Sequence, residues 1–206
     1  ALREIVEGKR YAQDDLFFFR ECWHSPMHHG DFSSSSVEET LRIINERIAS
    51  AHNTVFNADC LLLTFGTAWV YEQKHTGRIV GNCHKQPDKL FTRRLLSVEE
   101  IVVEYFDLLK MLQELNPNLK VLFTVSPIRH AKDGMHGNQI SKSTLLLAID
   151  TLQHHYPMCH YFPSYEIMMD ELRDYRFYAD DMFHPSPMAV SYIWKCFGDT
   201  YFSSQT

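Results

Sequence analysis

Three short apolar runs, spaced by segments of helical period, limit what this chain can fold into. "ADCLLLTFG" at 58–66, "LKVLFTVSP" at 119–127 and "CHYFPS" at 159–164 are strand-length and bounded by turn residues. The first two have continuous apolar cores, the pattern of strands buried on both faces. Before the first run, "VEETLRIINERIASAHNTVF" at 37–56 places Leu41, Ile44, Ile48 and Ala51 on one helical face, behind a Ser33–Ser36 run that supplies an N-cap. "SVEEIVVEYFDLLKMLQELNP" opens with the capping box Ser97 and Glu100 and stops at Asn116-Pro117. "NQISKSTLLLAIDTLQHHYP" and "SYEIMMDEL" read as two further helices, and "ALREIVEG" as the end of one that closes at Gly8. Alternating helix and strand in this order specifies an α/β protein with a parallel sheet and right-handed crossovers. A length of 206 residues without repeat or low-complexity linker fits one domain over 1–206.

Composition removes several classes of function. A formal charge of −6 gives no global attraction to nucleic acid. No apolar run approaches the roughly 18–20 residues of a membrane span. The five cysteines are odd in number, scattered and free of any C-x-x-C pair. Neither a disulfide framework nor a cysteine zinc site is expected, and unpaired thiols lean toward a reducing, cytoplasmic compartment. No cofactor motif is present.

In parallel sheets, functional residues gather at the carboxyl ends of the strands. The three segments that follow the strands on that side are long and polar. The first, from Gly66 to Ser97, reads as a long loop and holds Thr67, Trp69, Tyr71, Asn82, His84 and Lys85. The second holds Ser126, Arg129, His130 and His136; the third is "RDYRFYADDMFHPSP", with Asp181 three residues before His184. An Asp-x-x-His loop can present an imidazole with its own carboxylate orienter, as a hydrolase needs to activate a nucleophile. Its plain alternative is a helix cap with a surface histidine. Arg129-His130 suits a carboxylate or phosphate on a substrate, or pairing with the acidic residues of the last loop. Arg173 and Asp174 read as a structural ion-pair network, Ser126 as a turn residue, and Trp69 and Tyr71 as either pocket wall or core.

"LTFGTAWVY", "GNCHKQP", "FTVSPIRHAKDG" and "FPSYEIMMDELRDYRFYADDMFHPS", collinear over most of the chain, resemble the GSCFA-domain family of bacterial proteins, which is similar to the SGNH or GDSL hydrolases. The resemblance implies a flavodoxin-like three-layer α/β/α sandwich with a parallel sheet, and a Ser-His-Asp esterase or acyl-transfer chemistry on a small-molecule or carbohydrate ester. It makes His184 and Asp181 the catalytic pair. It places Gly66, Thr67, Trp69, Asn82, His84, Arg129 and His130 around the oxyanion and substrate. The Gly-Ser-Cys-Phe-Ala segment that would carry the nucleophile occurs nowhere in these residues. The first strands and nucleophile loop are therefore expected to be missing, the fragment to be inactive, and an exposed strand edge to favour self-association. Ala68 stands where those hydrolases place an oxyanion-binding Asn, and Asn82 is the candidate replacement.

Two other readings stay open. The scaffold can serve as a non-catalytic ligand- or glycan-binding module, a reading that Ala68 supports. The "HSPMHHGD" cluster, with His24, His28, His29 and Asp31, suggests a metal-dependent hydrolase, although Pro26 and Gly30 argue against a helix that would align the histidines.

Overall fold

A computed structural model describes residues 1–202. In chain order its elements are α1 (Leu2–Val6), β1 (Phe17–Phe19), β2 (Cys22–His24), α2 (Val37–Asn57), β3 (Cys60–Phe65), β4 (Trp69–Gln73), β5 (Ile79–Val80), β6 (Phe91–Leu95), α3 (Val98–Leu115), β7 (Lys120–Val125), α4 (Gly134–His155), β8 (Cys159–Phe162), α5 (Ser164–Glu166), a π-helical turn (Ile167–Glu171) and α6 (Pro187–Tyr201). Two compact units result: residues 1–59, 69–95 and 106–119 form one, and residues 60–68, 96–105 and 120–202 form the other.

In the first unit α2 begins where the sequence indicates, with the Ser36 hydroxyl accepting the Glu39 N–H at 3.2 Å. Its buried Ile44 and Ile48 pack with Tyr11. Asn45 clamps the Tyr11 backbone by accepting its N–H and donating to its carbonyl. β1 and β2 form a hairpin turned by Arg20 and Glu21, both at positive φ, the backbone of a two-residue mirror-image turn. The segment expected to be a long loop contains an antiparallel sheet ordered β5-β4-β6, with Gly77 at φ +67° in the connecting turn. Its strands are short and carry Glu72, Arg93 and Arg94, so their alternation is masked by charge.

The second unit holds the parallel sheet, ordered β3-β7-β8. The expected α/β fold is present, with helices on both sheet faces. On one face Phe123 packs against Phe65 and against Tyr105 from the first half of α3. On the other, Leu122 and Phe162 join Ile167, Met168, Leu172 and Ala189 in one cluster, flanked by Ile193 and Phe197 of α6. α4 lies against β7 and β8, with Leu145, Ala148, Ile149 and Leu152 buried along its inner stripe. Each large side chain in that stripe contributes roughly 1.5–3 kcal/mol.

β3 corrects one expectation. It is not buried on both faces: exposed and half-buried residues alternate along it, and Leu62 is 47% exposed. The reason is position, since among the described residues β3 lies at the sheet edge and pairs only with β7.

Candidate functional site

The carboxyl ends of β3 and β7 are tied together by residues of α4. Lys142 is 1% exposed and its ammonium donates at 2.6 Å to both the Gly66 and the Ser126 carbonyls. One residue earlier, the Ser141 hydroxyl accepts the Ala68 N–H at 2.8 Å and pairs with the Thr67 hydroxyl at 3.0 Å. His130 Nε2 also reaches the Gly66 carbonyl, at 3.2 Å, while its backbone N–H donates to Asn138 Oδ1. Burial pushes the Lys142 amine down to about 8. These contacts fix Gly66, Thr67 and His130 at one edge and commit the Ala68 amide to Ser141.

The third polar loop meets the second there. The Arg129 N–H donates to the Phe183 carbonyl at 3.1 Å, and the Arg129 guanidinium donates to the Tyr178 hydroxyl at 2.6 Å and the Met182 carbonyl at 3.5 Å. It also stacks 4.0 Å over the Tyr178 ring. Arg129 thus engages the last loop through neutral groups and not its carboxylates. Arg173 and Asp174 take local partners instead, Asp170 and Arg176 respectively.

Within that loop Asp181 Oδ1 accepts the N–H groups of Phe183 and His184, both at 2.9 Å, and Oδ2 lies 2.5 Å from His184 Nδ1. The two backbone N–H groups, followed by the imidazole, hold the Asp181 carboxyl down at about 2. Asp181 does not cap α6. That task falls to Ser186, whose hydroxyl accepts the Ala189 N–H, with Pro187 in the first turn. A carboxylate on Nδ1 selects the Nδ1–H tautomer. Nε2 is then an open acceptor, with no partner among the described residues. The imidazole is exposed enough, at 59%, to meet a ligand.

The remaining candidates belong to the first unit. Trp69 opens β4 and carries Arg93 over its ring at 4.3 Å. Asn82 Oδ1 accepts the His84 N–H at 2.8 Å. His84 Nε2 bonds the Ser25 carbonyl, and its ring lies 4.4 Å from that of His24. Both ring nitrogens of His24 are engaged, by Ser33 and by the Phe19 carbonyl, while His28 pairs with the Ser25 hydroxyl. No three His, Cys, Asp or Glu side chains converge as metal ligands among the described residues.

Ser141 and Lys142 are not among the candidates that the sequence offers. A signal for the lysine exists, because Lys142, Leu145, Ile149 and Leu152 fall on one helical stripe. A cation on an apolar face implies a specific acceptor.

In this α/β protein the loop after β7 meets the loop before α6, which carries an imidazole oriented by its own carboxylate. The model of the GSCFA family matches residues 1–197, and the chain belongs to that family. No curated protein matches the chain.

Proposed function

We propose that this chain carries the general-base half of an SGNH-like serine esterase or acyltransferase, with His184 as base and Asp181 as its orienter. The observation that supports this is the 2.5 Å contact between Asp181 and His184 Nδ1, which leaves Nε2 open on an exposed ring. A serine hydroxyl supplied from outside these residues gives its proton to Nε2 as its oxygen attacks the ester carbonyl. The imidazolium then returns that proton to the departing alcohol, and water releases the acyl group by the same route. Asp181 holds the tautomer and stabilises the imidazolium. Backbone amides near Gly66 are the candidate oxyanion donors. Arg129 and His130 are candidate substrate contacts.

A second reading is a ligand- or glycan-binding module without chemistry. It is favoured by Ala68, which has no side-chain donor and whose amide is committed to Ser141. Among the described residues β3 lies at the edge of its sheet, beside a cavity of about 280 Å³ walled by Leu62, Val190, Trp194 and Phe197, which supports self-association. Hydrolysis of short-chain aryl esters decides between the two functions. The natural full-length protein should turn them over, His184→Ala should not, and the 206-residue chain alone should be inactive. Equal rates with and without His184 would overturn the catalytic reading.

A further inference from the structure

Beside the loop that carries His184 lies a cavity of about 280 Å³ lined by Arg129, Leu172, Arg173, Asp174, Tyr175 and Tyr178. Tyr178 pairs with Pro185, the residue after His184, so the cavity adjoins the candidate base. Two of its three charged groups are neutralised locally. Arg173 is bound to Asp170 at 3.1 Å, and Asp174 takes both the Arg176 guanidinium and the Arg176 N–H at 2.9 Å. Arg129 is different: no carboxylate lies within ion-pair distance of it among the described residues. Its charge faces neutral oxygens, the Tyr178 hydroxyl and the Met182 carbonyl, and a ring face.

A guanidinium has five N–H donors in a planar fork, and these contacts use two of them. The remaining donors suit two oxygens of one anion, the geometry in which arginine binds carboxylate or phosphate most strongly. Tyr175 is 71% exposed, with its ring 6.3 Å from that of Tyr178. It adds a flat wall for the rest of the ligand.

We propose that this cavity binds an anionic oxygen group of the ligand, a carboxylate or a phosphate, and that Arg129 is the specificity-determining residue. The assignment rests on the hydrolase reading for its biological sense, since it makes the substrate a negatively charged ester. The binding itself does not depend on turnover.

The test uses the chain as it stands, titrated separately with sodium phosphate and sodium benzoate at constant ionic strength, with the arginine Nε–H signals followed by NMR. The Arg129 signal should shift saturably with at least one probe, and the tighter one identifies the anion class. Arg129→Gln should weaken binding about 10- to 100-fold, and Arg173→Gln about threefold at most, because Asp170 already shares its charge. Where circular dichroism shows Arg129→Gln to be unfolded, Arg129→Lys takes its place. That variant keeps the charge but loses the planar fork, and binding should weaken about 3- to 10-fold. No saturable shift with either probe, or equal affinity in the folded Arg129 variant, would overturn the proposal. Anion binding without ester hydrolysis would count against the hydrolase reading alone, and hydrolysis without Arg129-dependent binding against this site alone.

Discussion

Replacing Lys142 by Met should change how stability depends on pH more than it changes stability at neutrality. The ammonium is 1% exposed, bonds two strand-end carbonyls, and is pushed by burial from 10.5 to about 8. A displacement of that size corresponds to roughly 3 kcal/mol. Below pH 8 the amine is protonated in both folded and unfolded chains, and the folded state bears this cost in full. Between pH 8 and 10.5 the unfolded chain still holds a proton that the folded chain has lost, so stability rises with pH. Above 10.5 both are neutral and the cost is gone. Met keeps the apolar stem but supplies no donor. The Gly66 carbonyl retains His130, whereas the Ser126 carbonyl loses the Lys142 donor, at about 1–3 kcal/mol. At pH 7 the two effects oppose each other and the variant should lie within about 2 kcal/mol of the parent. By pH 10.5 only the lost bond remains and the variant should be the weaker. Urea unfolding of both proteins from pH 7 to 10.5, followed by circular dichroism, reads the difference directly. It should swing by roughly 3 kcal/mol in favour of the parent. A difference that stays constant within about 0.5 kcal/mol would refute the linkage argument.

Asp181→Asn in the full-length protein should lower kcat about 10³- to 10⁴-fold with KM little changed, as steady-state ester hydrolysis would show. Because the folded state depresses this carboxyl, its contribution is present above 3.8 and lost as pH falls through about 2. The Asp181 carboxyl carbon signal should therefore titrate near 2. Ser36→Ala removes the hydroxyl that accepts the Glu39 N–H at the start of α2. It should cost about 1 kcal/mol in urea unfolding, and an unchanged midpoint would show that the cap contributes nothing.

The parallel sheet and its helices were legible because each carries a strong local signal: an apolar run, a capping box at Ser97 and Glu100, or a stop at Asn116-Pro117. The antiparallel sheet of β4, β5 and β6 was not. Its strands are two to five residues long and rich in charge, and the β1–β2 turn uses Arg20 and Glu21 where glycine or asparagine would have signalled it. The exposure of β3 was hidden for another reason, since an apolar run does not reveal whether a strand lies at the centre or the edge of a sheet. Within the site, the Asp181–His184 spacing was readable because both partners lie in one loop. The ties from Ser141 and Lys142 to Gly66, Thr67, Ala68 and Ser126 join residues up to 76 positions apart. Only the misplaced cation on α4 hinted at them.

The most direct test of the account is covalent labelling of the natural full-length protein with a fluorophosphonate, read by intact mass and peptide mapping. One adduct per chain on a serine is expected, formed at a rate that collapses in His184→Ala while the fold is retained. No adduct, or labelling equally fast without His184, would show that this imidazole is not the base of a serine hydrolase.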